Sequence, residues 1–240
     1  MRADWREVPL AYWLLLATLA LLPFGAASEA PVLIGAVAGS VALLRRRIDW
    51  RSPTVRCAFA LGLAYWLPQL LSAFDSVVPD KSWRESALDL RFVPFLLYAA
   101  NTRGDARTAR FLVAGIALIA LLWCADALVQ AATGFSLGGM AGSDRLSGIF
   151  GADNLKLGGV LAVLAPFALV DAWRRGGVWV LAAVALVLLI VILLAGARAA
   201  WFGFALGTAL VFWQMLGRRR ALTALLALAL ATLISGIAGY

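Results

Sequence analysis

A polytopic bundle of transmembrane α-helices is the fold class this sequence predicts, and three observations predict it. Of the 240 residues, 63% are hydrophobic and only 14% charged, with a mean hydropathy of +0.91. Soluble domains use about 45–50% apolar residues. Apolar runs of roughly membrane-crossing length recur along the whole chain, and a backbone in lipid must satisfy its own amides, which a helix does. Finally, the basic residues gather in short clusters that alternate with the runs.

Nine runs qualify as spans: 8–26, 30–44, 55–74, 84–100, 110–130, 157–173, 178–195, 199–216 and 221–238. The second is short, and the fourth carries charges at its start. The chain 1–240 reads as one transmembrane helical domain, with no soluble domain, low-complexity segment or internal repeat. The first run lacks a small-residue cleavage site and is followed by further spans, so it is read as a retained helix rather than a signal peptide.

Arginine sets the expected orientation. With the N-terminus cytoplasmic, the inner segments carry Arg2, Arg6, Arg45, Arg46, Arg47, Arg51, Arg56, Arg103, Arg107, Arg110, Arg174, Arg175, Arg218, Arg219 and Arg220. That is 15 of the 21 basic residues, leaving Lys81, Arg84, Arg91, Arg145, Lys156 and Arg198 outside. Basic residues favour the cytoplasmic side, so nine spans would bring the C-terminus out on the other face. The net charge of +8 is accordingly read as a topology signal. No nucleic-acid partner is expected, because the arginines form no continuous solvated basic face.

Composition excludes some chemistry. The chain has no histidine, which removes a histidine base, metal ligand or pH switch. Cys57 and Cys124 belong to separate spans and show no ligand spacing, so neither a disulfide nor a metal site is expected.

Several details concern construction. Ser82-Trp83-Arg84-Glu85 has capping-box spacing and predicts that Ser82 starts the fourth helix, which Pro94 should kink. Gly35-xxx-Gly39 and Gly203-xxx-Gly207 predict close helix packing. Trp5, Trp50, Trp83, Trp173 and Trp201 fall near expected interfaces, where an amphipathic ring is at home.

The outer surface is expected from a turn near Ser28-Glu29 and from the loops at about 75–85, 131–156 and 196–198. Loops carry function, and the third is far longer than a hairpin requires. Within it, Ser143-Asp144-Arg145-Leu146-Ser147-Gly148-Ile149-Phe150-Gly151-Ala152-Asp153-Asn154 sets one arginine among glycines at 142, 148 and 151. Arg145 is either simply solvated or part of an anion site. Asp153 and Asn154 at a helix start, with Lys156 adding charge, suit an anion. Arg198 interrupts two apolar runs with almost no loop around it. It either snorkels to water or faces a polar cavity, and its planar fork pairs bidentately with phosphate. A second outer cluster mixes Lys81, Arg84 and Arg91 with Asp75, Asp80, Glu85 and Asp89. These charges either pair with one another at a solvated helix start or contribute to a site. Arg91 lies deepest and suits a cavity best, with Lys81 beside it. Asp126, inside the fifth run, needs a partner, for which an outward arginine is a candidate. Asp171 can pair with Arg174 or Arg175 at helical spacing.

The loop reading Arg145-Leu-Ser-Gly-Ile-Phe-Gly-Ala-Asp-Asn154 leads into a helix containing Leu-Ala-Pro166, and a later span ends at Gly-Ala-Arg198-Ala-Ala-Trp. In these motifs and in its many spans the chain resembles the O-antigen ligase and O-antigen polymerase superfamily of bacterial inner-membrane glycosyltransferases, most closely the ligases. The resemblance implies a multi-pass inner-membrane protein with a periplasmic active face. It implies metal-independent, cofactor-free, inverting transfer of a glycan from undecaprenyl pyrophosphate to lipid A-core, in lipopolysaccharide biosynthesis. Polymerases use another lipid-linked repeat unit as acceptor. By the same resemblance, Arg145 and Arg198 are catalytic residues that neutralise the departing pyrophosphate, with Asn154, Lys156, Arg91 and Lys81 lining the substrate site. Family members continue into a large periplasmic region that holds a histidine and a further arginine. The expectation is therefore an N-terminal portion that recognises the donor head group and lacks transfer activity alone. A secondary transporter working through Asp126, or a non-catalytic scaffold, are the readings from other classes.

Overall fold

The structure, a computed structural model, describes residues 8–140, 145–151 and 154–216. The expected ninth span, 221–238, and loop residues Gly142, Ser143, Asp144, Ala152 and Asp153 lie outside them. The described chain is almost wholly helical, as an apolar chain of this composition requires. Among the described residues, three helical stretches are long and apolar enough to cross a membrane: Leu10–Leu44, Ala106–Thr133 and Lys156–Leu194. Their outward faces match that reading. Leu33, Ile34 and Val37 on the first, and Leu118, Leu122 and Val129 on the second, are exposed apolar stripes. A water-soluble monomer rarely tolerates such patches, whereas lipid covers them at no cost.

The chain divides into two compact units, Met1–Leu112 and Val113–Tyr240. In the first, α1 (Leu10–Leu21) passes through a 3₁₀ turn (Leu22–Ser28) into α2 (Glu29–Leu44). The reversal uses Gly25, whose φ of +58° few side chains tolerate, and α1 packs back on α2. Then come α3 (Pro53–Ala73), α4 (Pro79–Asp89) and α5 (Phe92–Asn101). α5 lies against both α2 and α3, burying Phe95 with Leu14, Val32 and Ala36, and Val93 and Leu97 with Ile48 and Val55. Gly35 and Gly39 make this approach possible. A Cβ at Gly35 would overlap the Phe95 ring, and one at Gly39 would overlap the carbonyl oxygen of Pro94. The packing reading of the first Gly-xxx-Gly pair therefore holds.

Two local expectations are corrected here. The fourth helix starts at Pro79, not Ser82: proline fits the first helical position, and the Ser82 hydroxyl is taken by Ser76 Oγ at 2.6 Å instead of capping. Pro94 does not kink a continuous helix; the break falls just before it, between α4 and α5. Proline leaves the Leu90 carbonyl without its helical donor, and that carbonyl accepts the Val93 amide at 3.1 Å in a tighter turn.

At the end of α2 the chain forms a Schellman motif, with the Arg46 amide on Leu43 O at 3.0 Å and the Arg47 amide on Ala42 O at 2.8 Å. Arg46 has φ +54°, the single non-glycine at positive φ among the described residues. A side chain in that left-handed conformation costs about 1–2 kcal/mol.

The second unit takes up α6 (Ala106–Thr133) from Val113 onward. It continues through a two-stranded hairpin, β1 (Phe135–Ser136) with β2 (Gly139–Met140), and a 3₁₀ turn (Gly148–Phe150). The hairpin is a small β addition to the expected all-α fold. α7 (Lys156–Leu194) and α8 (Arg198–Leu216) follow. α7 is not one straight rod: Gly176 and Gly177 leave helical geometry, Gly177 with φ +62°. A Cβ on Gly158 would lie 3.1 Å from Ala195 Cβ, whereas a straight helix would separate these residues by about 55 Å. The arms 156–175 and 178–194 therefore fold back on each other, divided where the sixth and seventh apolar runs are divided in sequence. α8 packs on α7, with Gly207 against Pro166 and Gly203 against Ala162. The second Gly-xxx-Gly pair is thus also a packing device. Asp171 pairs with Arg175 rather than Arg174. Both cysteines are free, Cys57 exposed and Cys124 buried.

Candidate functional site

In the second unit the polar loop is organised around a residue that sequence reasoning missed. Ile116, Ala117, Ala120, Trp123, Cys124 and Ala127 form the buried stripe of α6, and Gln130 continues it. Gln130 is 2% exposed and Ser147 1%. Gln130 Oε1 accepts the Ser147 amide at 3.0 Å and the Gly148 amide at 2.8 Å, while its Nε2 donates to Ser147 Oγ at 3.2 Å. A lone amide on an otherwise apolar helical stripe was the available signal, since a buried polar group must find partners.

Backbone geometry does the rest. Gly148 (φ +53°) and Gly151 (φ +90°) bracket the 3₁₀ turn, and Phe150 packs edge-on to Trp123 at 5.2 Å. Ser136 Oγ lies within hydrogen-bond distance of the carbonyls of Gly148 (3.0 Å) and Gly139 (3.1 Å), tying the hairpin to the turn. Gly138 is pressed so closely on this turn that a Cβ there would lie 2.5 Å from Gly148 O. Asp126 Oδ1 accepts the Leu137 amide at 2.8 Å; its Oδ2 is buried towards Gly148 without a hydrogen-bond partner. The expected arginine partner of Asp126 is thus replaced by a backbone amide that the hairpin delivers to it.

This frame sets Arg145 against the turn between α7 and α8. The Leu146 amide donates to Leu194 O at 3.2 Å. The Arg145 side chain runs over Gly196, with Cδ and Nε both 3.1 Å from where a Cβ would stand. Gly196 has φ +68° and lies two residues before Arg198, the first residue of α8. Trp201 Nε1 donates to Ile192 O at 3.3 Å, so this tryptophan anchors the first turn of α8. Gly158 admits Ala195, Ala197 and Ala200 beneath the same turn. Two arginines 53 positions apart are thereby gathered at one turn, both exposed. Asn154 Oδ1 accepts the Lys156 amide at 3.2 Å, and Lys156 opens α7. Asn154 is thus not the expected cap: Leu155 stands at the N-cap of α7 with no side-chain cap bond, and Asn154 closes an Asx turn just ahead of it.

Arg91 and Lys81 belong to the first unit. The Arg91 guanidinium pairs with Glu29 at 2.6 Å and approaches Asp89 at 4.0 Å; Lys81 approaches Glu85 at 3.9 Å. Arg91 is thus a tie between the start of α2 and the α4–α5 break. Beside it, a cleft of about 370 Å³ is lined by Gln69, Ser72, Ser82, Glu85, Ser86 and Asp89. Tyr65 Oη donates to Asp89 at 3.1 Å and Trp66 Nε1 to the Ser86 carbonyl at 2.7 Å. Hydroxyls, an amide and two carboxylates, which Lys81 and Arg91 approach only at 3.9 and 4.0 Å, suit a hydroxyl-bearing ligand. Among the described residues no cluster of three His, Cys, Asp or Glu is arranged for a metal.

Comparison with protein-family models, with curated proteins and with solved structures finds no match.

Proposed function

We propose that the chain is a multi-pass inner-membrane protein of the O-antigen ligase type, supplying the donor pyrophosphate site of a metal-independent inverting glycosyltransferase. On this reading nine spans set the loop around Arg145 and the turn at Arg198 on the periplasmic face. The donor is an undecaprenyl-pyrophosphate-linked glycan and the acceptor lipid A-core. A polymerase would use the same donor site with a lipid-linked repeat unit as acceptor.

One observation carries the proposal: Arg145 lies over Gly196, two residues from Arg198. When a glycosyl–oxygen bond breaks with pyrophosphate leaving, negative charge grows on the departing oxygens. Guanidinium groups held in place by a built loop stabilise that charge without reorganising. Arginine also offers two parallel donors, which lysine does not.

The test is binding of undecaprenyl pyrophosphate to the purified protein, with undecaprenyl monophosphate as comparison. Each charge-assisted hydrogen bond contributes about 1.5–3 kcal/mol, so Arg145→Ala and Arg198→Ala should each weaken binding by roughly tenfold or more. Arg198→Lys should weaken it despite keeping the charge. Wild-type affinity in both alanine variants would leave a scaffold as the better description.

A further inference from the structure

Three arginine clusters far apart in sequence meet at one end of the first unit. Arg45, Arg46 and Arg47 follow α2, Arg51 and Arg56 flank the start of α3, and Arg103, Arg107 and Arg110 surround the start of α6. Specific contacts hold them there. Asn101, the last residue of α5, accepts the Asp49 amide on Oδ1 at 2.9 Å and donates from Nδ2 to Arg47 O at 3.1 Å. Arg103 pairs with Asp49 at 2.9 Å. Gly104 lies against the Tyr12 ring, which brings the start of α1 to the same end. Ends of five apolar helices and a half-exposed Trp50, packed edge-on to Phe59, mark this as the layer where hydrocarbon gives way to water.

Among the described residues, the carboxylates in this layer are already committed. Asp49 holds Arg103, and Asp105 is turned onto the amides of Arg107 and Thr108. Among the described residues no carboxylate pairs with Arg45, Arg46, Arg47, Arg51, Arg56 or Arg110. A topology signal needs only positive charge somewhere near a helix end. Arg46 goes further: it occupies the Schellman position that glycine fills without strain, at φ +54°. A strained backbone conformation held by a charged residue is a pointer to function at that spot.

We propose that this end of the first unit is a binding site for the headgroups of anionic phospholipids in the leaflet it faces, with Arg46 as a specific contact. The phosphodiester supplies the charge the arginines lack, and its acyl chains run along the exposed apolar faces of the helices below. This proposal is independent of the pyrophosphate site.

The experiment is native mass spectrometry of the full chain in detergent, titrated with phosphatidylglycerol or phosphatidylcholine. Wild type should bind phosphatidylglycerol preferentially. Each arginine at an anionic surface contributes about fivefold, equivalent to about 1 kcal/mol. Arg46→Gly should therefore lose about fivefold of the preference, and Arg47→Gln a similar factor. Glycine fits the left-handed position, so unchanged or higher thermal stability of Arg46→Gly in phosphatidylcholine will show that it is folded. Arg84→Gln, on α4 at the opposite end of the first unit, should leave the preference intact. A wild-type preference in Arg46→Gly and Arg47→Gln, or an equal loss in Arg84→Gln, overturns the proposal. So does competition by millimolar inorganic phosphate at constant ionic strength, which would indicate a free-anion site rather than a lipid site.

Discussion

Replacing Gln130 by leucine, of similar size, should loosen the loop that carries Arg145 while leaving the helices in place. The side chain makes three hydrogen bonds, two of them accepted from the amides of Ser147 and Gly148. Those donors are shut away from water, since Gln130 and Ser147 are 2% and 1% exposed. Leucine would fill the space and strand both amides, each at about 1–3 kcal/mol, so the loop should lose roughly 2–6 kcal/mol against its open form. Each 1.4 kcal/mol is tenfold in an equilibrium, and the loop should open about thirtyfold more often, or beyond. Hydrogen–deuterium exchange of peptides covering residues 145–151 measures this directly, because exchange at these amides follows opening. The core of α7 should exchange as in the wild type. Since Arg145 rides on the loop, affinity for a pyrophosphate lipid should fall in parallel. Unchanged exchange at Ser147 and Gly148 would refute the account of Gln130 as the residue that shapes the loop.

Other expectations follow from single contacts. Gly196→Ala places a methyl 3.1 Å from Arg145 Cδ and Nε at a position with φ +68°, so it should cost about 1–2 kcal/mol and weaken pyrophosphate binding, read by thermal unfolding and titration together. Gly39→Ala would drive a methyl into the Pro94 carbonyl and should separate α2 from α5, at about 1–3 kcal/mol; an unchanged melting temperature would contradict the packing described. Asp105, ahead of α6, accepts the Thr108 amide at 2.7 Å, the Thr108 hydroxyl at 2.9 Å and the Arg107 amide at 3.1 Å. These bonds, the Thr108 amide first, hold its carboxyl below the ordinary value of 3.8. The carboxylate's stabilisation is therefore complete above that ordinary value and is lost as pH falls through the lowered one. Thermal unfolding should show an acid-dependent loss in the wild type that Asp105→Ala lacks.

Much of the helix layout was legible in the chain. The glycines at 176–177 lie between two apolar runs, and the chain reverses there; the first reversal, at Gly25, falls inside the run expected as 8–26. The arginine pair was legible as two motifs but not as a pair. Their proximity depends on Gln130 and Ser136 folding the loop, and on Gly158 and Gly196 leaving room beneath it. Gln130 was overlooked because glutamine in a long helix carries no local mark of what it binds; its partners are 17 and 18 residues away. Arg91 was legible as a deep cation, yet its partner Glu29 is 62 positions distant and belongs to a different helix.

The sequence by itself determined that this is a helical chain with stretches apolar enough to cross a membrane, and it determined most helix boundaries. Both follow from local properties: hydropathy summed over a span, and the backbone preferences of glycine and proline. Only the tertiary structure decided which polar groups meet. It laid Arg145 over Gly196, gave Asp126 the Leu137 amide in place of an arginine, and joined three arginine clusters through Asn101. In a chain this apolar, a buried donor or acceptor left unpaired costs as much as several favourable contacts supply. The long-range pairings are therefore set by which polar atoms the packed helices bring within reach.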